Sequence, residues 1–442
     1  MKIENFSTTS FVVEDDCVLF SNPKTYTADI KNTNPNCPRL TAIYDTAEFD
    51  TPIIINGFAN EKISLKAVPP DGLKVADIKM KNGSGQLVSV FFGIPMDTNY
   101  SDVEITLSEK SVSNITSQTS VSNLDTAMLF ITSTTIGKYA LFAAGINGDG
   151  QSKEMHAYDD SLVHTLASPL DTASLETTST TAGNYALFGM GDSDAVYAYN
   201  KDLTKTLAPP LSMTRYNGNA ETVGKYALFA GGYADLTGDG FDYTEVDIVD
   251  AYDDVLTHTT VTPMSVARSD LTSMATGNYA LFVGGATPTE SGSNYVDAYD
   301  DVLTHITANP TMRPSSVRTK STTVGRYALA NYFGWIVLAC DEMLTYTEIN
   351  NALRPPSGGA ARFVAPVSTK TYALFAGGIY GSRNSFDHVF LIDSALTSKR
   401  ITPLSRARRT TAASVGNYVL FVGGLYERES WSNLVDVYQE DL

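Results

Sequence analysis

The sequence predicts an all-β protein, a seven-bladed β-propeller preceded by a small β-sandwich. The phrase Gly-Asn-Tyr-Ala-Leu-Phe-x-Gly-Gly, or a close relative, recurs seven times, anchored on Tyr139, Tyr185, Tyr226, Tyr279, Tyr327, Tyr372 and Tyr418. These tyrosines stand 41 to 53 residues apart, the range of propeller blades or solenoid turns. The units are rich in Thr, Val, Tyr, Gly and Asp and show no apolar pattern of period 3.6, which sets helical repeats aside.

The unit from Thr257 to Gly285 shows how a blade is written. His258 to Met264 reads as an outermost strand, because β-branched residues suit a pleated surface and Pro263 is tolerated only where no ladder bond is needed. Arg268 to Thr276 follows as a strand of small and polar residues. Gly277-Asn278 then turns the chain into Tyr279-Ala-Leu-Phe-Val283, an unbroken apolar run expected of a strand covered on both faces. Gly284-Gly285 ends it where the backbone must bend or approach another closely. After a variable loop, Tyr295-Val-Asp-Ala-Tyr299 supplies the remaining strand. The leucine of each apolar run (Leu141, Leu187, Leu228, Leu281, Leu329, Leu374, Leu420) is expected to be fully buried between blades.

These residues resemble the kelch family of β-propellers over roughly residues 110 to 442. Gly231-Gly232, Gly284-Gly285, Gly377-Gly378 and Gly423-Gly424 match its diglycine, and Tyr158-Asp159, Tyr252-Asp253 and Tyr299-Asp300 match its Tyr-Asp pair. The blades also look similar to those of open reading frames in Firmicutes and their phages. There is a departure: where the family places a Trp wedge between blades, this chain has His164, Lys205, His258, His305 and Tyr346. The fifth unit, Tyr327 to Trp335, is the most degraded, with Cys340 in place of the second Tyr.

The last unit stops at Val435-Asp-Val-Tyr438 and Leu442 without an outer strand, whereas Ser111 to Val121 has outer-strand character and leads into Ala127 to Thr134, the first innermost strand. Pairing of these two ends would close the ring and remove a free edge. Residues 1 to 108 contain no repeat. Their short β-rich runs, separated by Asn, Pro and Gly clusters, have the spacing of an antiparallel sandwich and read as an anchoring domain before a propeller at 109 to 442.

A net charge of −18 and a pI near 4.6 disfavour nucleic acid and anionic membranes as partners. No stretch approaches a transmembrane helix, and Met1 to Cys17 lacks the pattern of a secretion signal. Cys17, Cys37 and Cys340 are too few for a disulfide framework and read as reduced thiols. Copper-oxidase chemistry, which some kelch propellers perform, needs clustered His and Tyr ligands; here His164, His258 and His305 occupy one equivalent slot on three blades, so they cannot converge on one ion. No nucleophile elbow is present. The acidic loops at 147 to 150 and 235 to 242 suggest Ca²⁺, but Val246 stands where an EF-hand needs its Glu, and Asp-Gly turns have conformational reasons of their own. The reading is therefore no catalytic residue, no metal and no cofactor.

In an up-and-down blade, the loop after the diglycine and the loop entering the next blade emerge on one face. The first set carries Tyr233, Asp239, Tyr243, Tyr380, Arg383, Tyr426 and Trp431; the second carries Arg215, Arg268 and Arg362, with Arg318, Arg406, Arg408 and Arg409 nearby. Such a surface suits sugar stacking or docking of another protein. The competing reading pairs each repeated Arg with an acidic residue of the adjacent blade. The sequence thus points to a non-enzymatic binding protein, a bacteriophage virion component that meets a host-surface glycan or other virion subunits, itself included. A bacterial surface adhesin is the alternative, and an enzyme (hydrolase, lyase or oxidase) would be favoured by a deep axial pocket with clustered carboxylates and arginines.

Overall fold

A computed structural model describes residues 121–441, apart from 241, 309–314, 316–317, 355–360, 381–383 and 427–429, and before residue 121 the strands alone. The chain divides into two compact units, Met1–Ser113 (with Leu442) and Asn114–Asp441. In the first unit a five-stranded sheet is built around the antiparallel pair Leu73–Lys81 and Ser101–Glu109. A second sheet contains Cys17–Phe20 beside Ser64–Ala67 in parallel, where the sequence suggested antiparallel pairing. The side chains of this unit, Cys17 and Cys37 included, lie outside the described residues.

The second unit is a propeller of seven four-stranded sheets. Blade 4 is representative: Thr272–Thr276 is innermost, Tyr279–Val283 and Val296–Asp300 follow, and His305–Ala308 is outermost. Blade 7 combines Arg409–Val415, Tyr418–Leu425 and Trp431–Asp441 with Asn114–Gln118, which pairs antiparallel from Asn114↔Asp441 to Gln118↔Val437. The ring therefore closes within one sheet and leaves no open edge at the seam. Blade 5 departs from the others: Tyr327–Phe333 runs straight into Ile336–Cys340 through a hairpin, with an irregular register between Asn331 and Phe333, and no diglycine loop intervenes.

The innermost strands begin later than the sequence suggested, at Thr132 in blade 1 and Thr272 in blade 4, so Arg268 belongs to the entry loop. All seven central leucines are 0 % exposed. Each lies in an apolar layer between neighbouring sheets, for example Leu281 with Ala298, Ala328 and Leu338.

Two devices hold neighbouring blades together. The third-strand tyrosines are buried, and their hydroxyls donate to carbonyls of the segment that leaves the preceding outer strand: Tyr252 to Pro209 at 2.8 Å, Tyr299 to Thr262 at 2.9 Å, Tyr438 to Thr402 at 2.9 Å. The histidine in the wedge slot stacks on that tyrosine, with Tyr299 and His305 centroids 4.9 Å apart. The second device is the diglycine. The second glycine has φ of 97 to 112° at Gly285, Gly232 and Gly378, a region that L side chains avoid. Its N–H donates across to the next blade, Gly232 to the Arg268 carbonyl at 2.8 Å and Gly424 to the Met128 carbonyl at 2.7 Å. A Cβ on Gly232 would stand 2.4 Å from the Tyr216 oxygen, so no larger residue fits this approach.

Candidate functional site

The residue nine positions before each anchoring tyrosine occupies one mouth of the axial channel. In blades 1 to 4 these are Phe130, Glu176, Asn217 and Asp270; in blades 5 to 7 they are Arg318, Phe363 and Arg409. All seven line a single axial cavity of about 820 Å³, within the size range of small-ligand sites. Five hold φ between 51 and 60° (Phe130, Glu176, Asn217, Asp270, Phe363), in the left-handed region. Below the mouth the wall is Ser and Thr, because innermost strands have few apolar neighbours there and bond across blades instead. Thr180 meets Thr222 at 2.7 Å, and Thr132 meets Ser179 at 2.9 Å.

Charge concentrates on one side of this mouth. Arg318 reaches from blade 5 to Asn217 Oδ1 at 3.0 Å and to the Glu176 carbonyl at 2.6 Å, with the Glu176 carboxylate 3.5 Å away. Deeper, Lys320 spans the axis to donate to Ser179 of blade 2. Burial pushes its amine down to about 8, opposed by the nearby Glu221, and burial raises the Glu221 carboxyl in turn. The Asp270 carboxyl is also raised by burial, against the pull of Arg318. Arg409 differs from the other cations. Its guanidinium lies 3.8 Å from the Phe363 ring centroid and 4.7 Å from that of Phe130, within cation–π range of both. Burial, and next the charge of Arg318, lowers its pKa to about 10.

The diglycine loops flank the mouth, as strand order suggested. Tyr216 pairs with Tyr233, and Ser269 with Ala286, so in blades 3 and 4 the residue before the mouth position is bridged to the loop that follows the diglycine. Tyr216 also meets Tyr243 edge-on, with centroids 5.7 Å apart.

Of the binding residues expected from sequence, Tyr243 and Arg362 are exposed on this face and Tyr233 and Trp431 are half-buried. Tyr380 is placed by its backbone alone, in Ile379–Tyr380, and Arg383 lies outside the described residues. Tyr426 is buried beneath Arg406, whose guanidinium sits 3.7 Å from its ring centroid. Arg215 and Arg268 require correction: both are 0 % exposed. Arg215 binds Asp250 at 2.6 Å and the Phe229 carbonyl at 2.9 Å. Arg268 binds Asp297 and the Tyr295 carbonyl. Each acidic partner belongs to the blade that the arginine leads into and also receives a histidine, His258 or His305, at 2.7 Å. A buried charge is retained only when paired, so each arginine fastens the entry loop to its own blade, not to the adjacent blade as the competing reading had it, and neither faces solvent. The Asp235 loop is likewise conformational: its carboxylate accepts the Gly240 amide at 2.7 Å and the Gly238 amide at 2.8 Å. Cys340 is a buried free thiol that burial pushes up to about 12.

Sequence reasoning named Arg318 and Arg409 only as neighbours and missed Phe130, Glu176, Asp270 and Phe363. The available signal was positional, a column nine residues before each tyrosine.

No protein-family model and no curated protein matches this chain. Among solved structures, one described as "Structure of YjhT" aligns with a TM-score of 0.46 at 10% identity, covering 71% of this chain and 95% of that one. Function is therefore read from this chain's own residues.

Proposed function

We propose that this protein is a non-catalytic binding protein of a bacteriophage virion, and that its propeller receives an acidic host-surface glycan at the axial mouth. The observation that carries this reading is the Arg409 guanidinium held between Phe130 and Phe363, whose rings are 42% and 36% exposed. A cation between solvent-facing aromatic planes offers a carboxylate partner and stacking surfaces together. The resemblance of the repeats to kelch blades found in phages supports the virion setting, with residues 1 to 108 as the attachment domain. Titration of the full chain with acidic and neutral cell-wall oligosaccharides tests it. Selective binding of the acidic set, reduced at least tenfold by Arg409→Ala or Phe363→Ala, is the expected result. Equal binding of both sets, or unaltered binding by both variants, would sink the proposal.

One observation favours an enzyme instead: Lys320 and Glu221 form a titratable pair deep in the cavity, and perturbed groups cluster at active sites. Lys320 is already engaged with Ser179, and Arg318 with Glu176 and Asn217, which suits a braced channel better than a free acid or base. Turnover of an acidic oligosaccharide that is lost in Glu221→Gln would reverse this preference.

A further inference from the structure

Blade 1 breaks the ion-pair pattern of its neighbours in a specific way. Two residues before the third-strand tyrosine, blades 3 and 4 place Asp250 and Asp297, each bound to a buried arginine and to a histidine of the outer strand. Blade 1 places His156 in that slot and Met128 in the arginine's slot, both 0 % exposed. The outer-strand histidine is retained as His164. The blade has thus exchanged a guanidinium and a carboxylate for an imidazole and a thioether, so two histidines now face each other with His156 Nδ1 3.0 Å from His164 Nε2. Asp125 brings a carboxylate oxygen to the same point, all three ligand atoms lying within 4.8 Å of one another.

We propose that Asp125, His156 and His164 form a site for a divalent transition ion of the zinc class, which clips the segment entering the ring to the flank of blade 1. The surroundings of His156 suit a ligand. Its Nε2 lies 3.3 Å from Glu154 Oε2, which also accepts the Thr126 hydroxyl at 2.7 Å. Donation from Nε2 to that carboxylate leaves the Nδ1 lone pair toward His164, the carboxylate–imidazole relay that commonly orients metal-bound histidines. Tetrahedral zinc with Zn–N near 2.0–2.1 Å needs its nitrogens about 3.3 Å apart, so the half-buried His164 has only to move aside by a few tenths of an ångström and tilt. Two imidazoles and one carboxylate favour Zn²⁺, Ni²⁺ or Co²⁺ over the oxygen-seeking Ca²⁺ or Mg²⁺. Asp125 follows the closing strand Asn114–Gln118 by a few residues, while His156 and His164 stand on two strands of blade 1. An ion there fastens the ring's seam. This inference is independent of what the axial mouth binds.

The test uses untagged full-length protein, washed with chelator and titrated with Zn²⁺ by calorimetry, with Co²⁺ as a visible-absorption probe. His164→Gln and Asp125→Asn are the informative variants, because both positions touch solvent and their folding is checked by circular dichroism; His258→Gln in blade 3 is the control. We expect one Zn²⁺ per chain, a melting temperature raised by several degrees, an intense Co²⁺ band of tetrahedral type, and at least tenfold weaker binding in His164→Gln but not in His258→Gln. Absence of Zn²⁺ and Co²⁺ binding in the washed protein, or equal binding by folded His164→Gln, would overturn it.

Discussion

Replacing Arg215 by Met removes the guanidinium from a fully buried pair while keeping much of its volume. Asp250, itself 0 % exposed, then loses its partner at 2.6 Å and the Phe229 carbonyl loses a donor; Ser212 and His258 remain. Removing one member of a buried ion pair typically costs about 3–5 kcal/mol, because the other charge is stranded. That is a large share of the roughly 5–15 kcal/mol available to a folded domain. Arg215→Met combined with Asp250→Leu removes both charges and should be less destabilising than Arg215→Met alone, whereas Arg215→Lys should fall between Met and the parent, since one ammonium cannot replace the fork. Urea denaturation followed by the fluorescence of Trp335 and Trp431, both in the propeller, reads these differences. The interaction with Arg215, together with the hydrogen bonds from His258 and Ser212, holds the Asp250 carboxyl below its ordinary 3.8 despite burial. The contribution of the pair is therefore present above about pH 4 and lost only in stronger acid. A cost below about 1 kcal/mol for Arg215→Met, with partner binding abolished, would show that the arginine serves a surface and that the structural reasoning is wrong.

Leu281→Ala should cost about 2–5 kcal/mol by the same denaturation assay, since the side chain is 0 % exposed and its cavity is walled by two sheets. Gly232→Ala places a Cβ 2.4 Å from the Tyr216 oxygen at a φ of 111°; it should lower the melting temperature and loosen the loop bearing Tyr233 and Tyr243, seen as faster amide exchange there. Lys320 has a folded pKa of about 8 against 10.5 for a free lysine. The unfolded chain thus binds more protons between these values, so stability should rise from pH 8 to 10, and Lys320→Met should flatten that rise. Over the same range an acidic ligand at the mouth should bind more weakly as Lys320 loses its charge, a trend that titration at pH 7 and pH 9 would read.

The blades were legible because their physics is local. The Tyr-Ala-Leu-Phe run, its turn and the diglycine specify a buried strand and a close approach of backbones within a few dozen residues. Depth was not legible in the same way, since Arg215 and Arg362 look alike along the chain although one is sealed in the wall and the other faces solvent. A signal did exist. Arginine in the entry loop accompanies Asp two residues before the third-strand position in blades 3, 4 and 7 (Arg215 with Asp250, Arg268 with Asp297, Arg408 with Asp436). Blades with Tyr197, Leu338 or Phe390 in the acidic slot lack that arginine. The mouth was harder to see because its seven members share a position and not a chemistry, so no motif search joins a phenylalanine to an aspartate.

That shared position has an evolutionary reading. Five of the seven mouth residues hold a left-handed backbone, which most side chains avoid, Asn and Asp tolerate best and β-branched residues tolerate worst. The mouth therefore varies in chemistry on a fixed frame, with contacts such as Arg318 to Asn217 and Arg409 to Phe363 coupling some of its members. If the mouth binds the proposed glycan, a single codon change there alters what is bound while the leucine layers and the seam remain as they were.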